Sequence, residues 1–387
     1  MEKIFRELAH TAKERPVELR ELKKQGKKIV QYTGNFIPAE MIYAAGAEPY
    51  LMCRGGEPEP PEAVLEYMLR FMNPLARSRA GYHLLGIDPV TPISDLIVTQ
   101  QTDCHVGRVT ELLEFLKLPI YKIGVPSDWK KDFSAEYYYR ALYRLRDRLE
   151  SLIGQKITDE NIKKYFGYLN RINEALRNID KLRKKDNPPL KGSEFIRLIH
   201  YSFFCEPQYA AAKLEELLEK LKVAEGKFTS DVPRILLAGH ALAVGDYFVP
   251  DLIEELGAAI VAEMFDEGIR PYKWDIPMEG DLIRNFGETM YRRKTPPSIF
   301  QPAWKDRFEY LKQMIQEYRV EGVIWYQLTY DEIYNMECSC VNKWLREIKI
   351  PMLQLESSYD YSKETSGLLE AKVKRFLKLL KRTASCI

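Results

Sequence analysis

Short continuous apolar runs alternate along this chain with longer stretches of helical spacing. Ile4, Leu8, Leu19 and Leu22 punctuate a charged stretch, which predicts an amphipathic helix over residues 2–25. Residues 28–32 then read as a strand. Gly34-Asn35 ends it, Pro38 opens a helix in its first turn, and Gly46 closes that helix as a C′ glycine. Residues 49–52 are the next strand, with Cys53 at its carboxyl end and a loop holding Pro58, Pro60 and Pro61 beyond. A helix over 62–86 precedes a buried-type strand, 95–99, which runs out through Gln100 to Cys104. Val109, Leu112, Leu113 and Leu116 mark the following helix, and residues 119–123 a further strand.

Residues 133–222 carry only the helical period, in segments 137–152, 162–182, 192–201 and 207–221, with Cys205 in the last break. Strand–helix alternation then resumes. Strands are predicted at 234–239, 258–262, 323–326 and 351–355. Helices are predicted from Pro250 to Gly257 and over 304–318, 341–348 and 366–381, with mixed structure over 281–300. The halves repeat: Pro38, Ile42 and Gly46 have counterparts in Pro250, Ile253 and Gly257, and the run at 95–100 matches that at 322–327. In this match Cys104 falls opposite Asp331. Such alternation and duplication predict an α/β fold. Two doubly wound parallel lobes (1–132 and 231–387), with a helical subdomain (133–230) between them, would face one cleft. Ligands in such sheets gather beyond the carboxyl ends of the strands, where Cys53 and Cys104 stand.

Charge narrows the function. The 387 residues hold 58 basic and 56 acidic side chains, a balance that offers no footprint for nucleic acid. The N-terminus is charged from its first residues, so no signal peptide is expected, and no apolar run is long enough to span a membrane. A cytoplasmic protein with reduced thiols is the expectation. The chain contains no phosphate loop, dinucleotide fingerprint, nucleophile elbow or His-x-x-x-His pair. Any nucleotide-driven step must use a partner chain.

Six cysteines remain: Cys53, Cys104, Cys205, Cys338, Cys340 and Cys386. A cysteine just before a helix has its thiolate favoured by the helix N-terminus, which suits Cys104. Cys338-Ser339-Cys340 reads as a metal or cluster ligand pair where a strand gives way to a helix. Each thiol could instead be a small buried apolar group, Cys205 and the near-terminal Cys386 most readily.

The stretch Gly34-Asn35-Phe36-Ile37-Pro38-Ala39-Glu40-Met41-Ile42-Tyr43-Ala44-Ala45-Gly46-Ala47-Glu48-Pro49 resembles the opening signature of 2-hydroxyacyl-CoA dehydratase and benzoyl-CoA reductase subunits. Thr102-Asp103-Cys104 and the ending Ile350-Pro351-Met352-Leu353 through Glu356 look like that family too. The resemblance implies two flavodoxin-like lobes with an iron–sulfur cluster between them. It also implies a separate ATP-hydrolysing iron–sulfur reductase that injects electrons at low potential. Gln327-Leu328-Thr329-Tyr330 lacks the family's second-lobe thiol, and extra thiols occur elsewhere. That pattern is similar to the double-cubane branch. There a double-cubane [8Fe-9S] cluster needs six thiolates and serves the reduction of small molecules such as acetylene, azide or hydrazine; the family's pairing through its lobes implies a homodimer. His105, Arg108, His240 and Tyr330 are then candidate donors to sulfide or substrate. Two alternatives stay open. One is a dehydratase-type subunit with a single [4Fe-4S] cluster and an acyl-CoA substrate. The other is a non-catalytic electron carrier or metal-binding scaffold.

Overall fold

A computed structural model describes residues 1–228, 231–293 and 301–384. Among these residues, eight strands form two separate parallel sheets. The first comprises β1 (Ile29–Tyr32), β2 (Glu48–Leu51), β3 (Leu96–Gln101) and β4 (Ile120–Gly124), in the order β2-β1-β3-β4. The second comprises β5 (Arg234–Gly239), β6 (Ala259–Met264), β7 (Gly322–Leu328) and β8 (Met352–Ser357), in the order β6-β5-β7-β8. The two orders are the same, so the duplication predicted from the sequence is a duplication of topology. The chain is an α/β protein of two flavodoxin-like lobes, as the alternating pattern predicts.

Burial follows from this architecture. The central strands β1 and β7 are buried at every residue, as their unbroken apolar runs require, whereas the edge strands β4 and β8 are partly exposed. The period of two divides the second sheet. Ile235, Leu237, Ile324 and Tyr326 face the large core shared with the first lobe. Leu236, Ala238, Val323 and Trp325 face a second core under the helices Gln301–Glu317 and Glu332–Glu347.

The helices Asp132–Ile153, Asp159–Leu182, Gly192–Ser202 and Pro207–Lys222 match the four predicted segments. Leu142, Leu176 and Leu214 from them join the core that also holds Val30 and Val98 of the first sheet and Ile235 of the second. This segment therefore packs both lobes onto one continuous core. The N-terminal helix Glu2–Lys24 adds Ile4 and Leu8 to it.

Two expectations need correction. Residues 62–86 are not one helix. A short helix, Glu59–Ala63, gives way to a single turn, and a new helix, Pro74–Leu84, starts where the Asn73 side chain accepts from Ala76 N at 2.8 Å. The helix predicted over 341–348 begins at Glu332, so Cys338 and Cys340 lie inside it rather than in the turn before it.

The lobes are stitched together at the carboxyl edges of their sheets. Val244 N donates to Cys53 O at 2.8 Å, and Gly55 N donates back to Val244 O at 3.0 Å. Gly56 (φ +89°) allows this approach, since a Cβ there would lie 2.8 Å from Gly245 O. Among the described residues, no helix is long and apolar enough to cross a membrane.

Candidate functional site

The carboxyl edges of both sheets face the same seam. Beyond β3, Asp103 caps the helix Cys104–Phe115, accepting from His105 N at 2.8 Å and Val106 N at 3.0 Å. Beyond β7, Asp331 holds the matching cap position of Glu332–Glu347. Cys104 therefore corresponds to Glu332, one residue from the predicted match. Arg79, buried on the helix Pro74–Leu84, reaches across the seam. It donates to Met52 O (3.2 Å) and Thr33 O (3.1 Å) in its own lobe, and to Glu267 (2.5 Å) in the other. Gln100 Nε2 also donates to Glu267, at 3.4 Å.

His240 follows β5, where Gly239 comes so near Tyr326 that an added Cβ would meet its carbonyl oxygen at 1.8 Å. The imidazole Nδ1 is hydrogen-bonded to the Asp331 carboxylate. Its ring stacks on Tyr334, with centroids 4.1 Å apart and an interplanar angle of 9°. Burial opposes the imidazolium, but Asp331, with Glu267 and Asp103 farther off, outweighs burial and raises the pKa to about 9. Its buried Nε2 has no partner among the described residues, which leaves one donor of the ring unused. The network continues outward. Tyr334 donates to Asp266, and Arg307 donates to Asp266 (2.8 Å) and Glu337 (2.7 Å).

The cysteines are dispersed. Cys53 and Cys104 stand at the carboxyl ends of β2 and β3, with β1 between them. Two strand spacings of about 4.8 Å separate those ends. Cys53 is buried, and burial, reinforced by Glu267, pushes its thiol up to about 12 although Arg79 opposes. Cys104 is exposed. Its thiol is also raised: burial and the Asp103 carboxylate outweigh the backbone donors of the helix start, contrary to the expected lowering.

The other thiols lie elsewhere. Cys205 Sγ packs 4.0 Å from Leu8 O, with Arg15 and Glu18 as its charged neighbours. Arg15 pairs at 2.6 Å with Glu48, the first residue of β2, so Cys205 sits at the amino edge of that sheet. Cys338 is buried in the core under Trp325, and burial pushes its thiol up to about 12. Cys340 is half-buried on the same helix, and residues two apart there do not face each other. Cys386 lies outside the described residues.

The predicted polar residues also divide. His105 belongs to the seam. Its Nδ1 lies 3.0 Å from Asn73 N and its Nε2 3.3 Å from Glu332 of the other lobe. Tyr330 (φ +63°) stands at the lip, edge-on to Phe71 with centroids 5.6 Å apart. Arg108 is exposed and pairs with Glu111 at 2.8 Å, away from these groups. Sequence reasoning missed Arg79, Glu267 and Asp331. Arg79 had one visible signal: it is one of two arginines, with Arg77, set between Ala76 and Ala80 on a helix whose residues are nearly all buried.

The profile of a family described as 2-hydroxyglutaryl-CoA dehydratase, D-component, matches residues 35–380. The chain belongs to that family. It is 25% identical over 364 residues to the protein YjiM of Escherichia coli (strain K12), covering 93% of each chain. It is 23% identical to the beta subunit of the (R)-2-hydroxyglutaryl-CoA dehydratase of Acidaminococcus fermentans, over 87% of this chain and 89% of that one. With a benzoyl-CoA reductase subunit of Thauera aromatica the identity is 21%, over 89% of this chain and 88% of that one. These relatives are dehydratase and reductase subunits, so the chain is of that enzyme type. Members of the D-component family carry iron–sulfur clusters and work with an ATP-dependent activator.

The seam fits such a group in part. Cys53 and Cys104 supply thiolate chemistry from one lobe, and the other contributes His240, whose buried Nε2 has no hydrogen-bond partner among the described residues. Cys205 and Cys338 do not join them. Among the described residues, no three of His, Cys, Asp or Glu are gathered as a metal-binding group.

Proposed function

We propose that this chain is the electron-accepting iron–sulfur subunit of a reductive enzyme. Its cluster would lie in the seam between the lobes, with Cys53 and Cys104 as first-lobe ligands. The observation that carries this reading is the position of these two thiols at one sheet edge, beside the seam in which Arg79, Glu267 and protonated His240 converge. When bound, an iron–sulfur cluster supplies one-electron transfer at a potential set by its surroundings. The chain's own residues would do the rest. Arg79, held by Glu267, keeps a buried positive charge next to Cys53. His240 would offer its free N–H as a donor to a negatively charged group bound there. A separate ATP-hydrolysing iron–sulfur reductase would deliver the electrons, and a small molecule in the seam would accept them.

Two forms of this reading differ in cluster and substrate. A single four-iron cluster with an acyl-CoA substrate agrees with the two gathered thiols and with the names of the relatives. A double-cubane cluster in a homodimer, reducing molecules such as acetylene, azide or hydrazine, agrees with the count of six cysteines and the absence of a thiol at 327–330. It would require Cys205 and Cys338 to leave their cores, so the geometry favours the four-iron form.

Iron and acid-labile sulfide per chain, measured on anaerobically purified protein, test both forms. About four irons are expected for the first and about eight for the second, and zinc or no metal would sink the proposal. Cys53→Ser and Cys104→Ser should each lower the iron content, and Cys205→Ser should not.

A further inference from the structure

A cavity of about 440 Å³ opens beside the seam, between the N-terminal helix, the carboxyl half of β2 and the loop after β5. This volume lies within the range of small-molecule sites. It backs onto the Met52–Arg54 backbone but does not include Cys53 in its wall. Five aromatic rings line it: Tyr50, Tyr82, Tyr201, Phe204 and Tyr247. Tyr50 and Phe204 pack against each other with centroids 5.1 Å apart.

Two polar groups in this apolar wall point to a ligand. Gln31 is fully buried, and its amide nitrogen has no partner. Thr91 Oγ1 has one hydrogen and lies within reach of both Gln31 Oε1 and Asp88 Oδ2. Whichever way the Gln31 amide is turned, one of its polar atoms faces the cavity unpaired, and an unmet buried polar atom costs about 1–3 kcal/mol. The buried Tyr82 hydroxyl likewise makes no hydrogen bond of proper geometry, although the Glu57 carboxylate lies near enough to raise its pKa further after burial.

Charge at the wall is uneven. Arg54 is paired with Glu57 at 2.8 Å and Arg79 with Glu267. Asp88 is occupied by Val90 N, Thr91 N and the Thr91 hydroxyl. Lys13 has no ion pair among the described residues.

We infer that this cavity is a binding site for a small aryl carboxylate. Its ring would pack among the tyrosines, its carboxylate would meet Lys13, and a polar substituent on the ring, where one is present, would meet Gln31. The site lies beside the seam and shares Arg79 and Val244 with it, but no thiol lines it, so the test uses the full chain as purified anaerobically. Phenylacetate is titrated by calorimetry into the full chain, with phenylacetamide and acetate as comparison ligands. Saturable one-to-one binding of phenylacetate is expected, about tenfold tighter than that of phenylacetamide, with no saturable heat from acetate. Ala12→Phe, which fills the cavity from the N-terminal helix, should abolish binding. Lys13→Gln should weaken phenylacetate about tenfold and leave phenylacetamide unchanged. Absence of saturable phenylacetate binding overturns the assignment. So does binding that survives both substitutions, or an amide that binds as tightly as the acid. If Ala12→Phe does not fold, the exposed Lys13→Gln decides alone.

Discussion

His240 and Asp246 show how single buried groups tie stability to pH, and for both the cost of a substitution falls as pH rises. The folded state raises the His240 pKa from 6.5 to about 9, because the Asp331 carboxylate outweighs burial. The imidazolium is therefore bound more tightly in the folded chain. Its stabilising contribution, on the order of 3 kcal/mol, is complete below about pH 6.5 and is lost as pH rises through 9. His240→Gln should lower the stability of the metal-free chain most at pH 6, and the deficit should shrink towards pH 10. Urea denaturation at both pH values checks this, and a deficit independent of pH would refute it. Asp246 is also fully buried, accepting from Tyr326 and from Tyr361 (2.6 Å). Burial raises its carboxyl pKa from 3.8 to about 6 in spite of these donors. Ionising it in the fold therefore removes stability as pH rises from about 4 through 6, by about 3 kcal/mol in full. Asp246→Asn should fall behind the parent chain at pH 4 and gain on it at pH 8, as thermal melts at the two values would show.

At the scale of elements, the helix Glu332–Glu347 decides what the paired cysteines can do. Residues two apart on a helix point about 200° apart. Cys338 thus enters the core with Trp325, Val341 and Leu345 while Cys340 stays half-buried. Cys338→Ala should destabilise the chain by about 1–2 kcal/mol, and Cys340→Ala by less than about 0.5 kcal/mol, in chemical denaturation. Equal effects, or loss of iron from both variants, would argue for a shared ligand role instead. This element also shows where sequence reading ends. The strands were legible because buried parallel strands are unbroken apolar runs, and the helices at 132–222 because their apolar faces keep one period. The start of Glu332–Glu347 was not legible. Its first turns carry Glu332, Asn335 and Glu337, polar residues that a surface pattern assigns to a loop. Glu337 is in fact buried against Arg307. The carboxyl-edge position of Cys53 and Cys104 could be read from strand order alone. The pairing of Arg79 with Glu267 could not, because it joins residues 188 apart through a seam that exists only once both lobes have folded.

For the whole molecule, that seam is where the lobes depend on each other. Arg79 is 3% and Glu267 6% exposed, so neither charge is solvated, and each is tolerable only while the other is in place. Glu267 also accepts from Gln100, whose own Oε1 accepts from Phe36 N at 3.0 Å, so one carboxylate fixes two loops of the opposite lobe. Glu267→Ala should therefore cost about 3–5 kcal/mol, chiefly by leaving Arg79 buried and unpaired. The double variant Arg79→Met, Glu267→Ala removes both charges and should recover most of that loss, so the coupling in a double-mutant cycle should be large and favourable. The helices at 132–222 share one core with both sheets, so the lobes should not come apart as independent units when the pair is removed. Both variants should still unfold in a single transition, followed by tryptophan fluorescence and circular dichroism together. Two separated transitions would mean that the seam, rather than the shared helical core, makes the lobes one cooperative body.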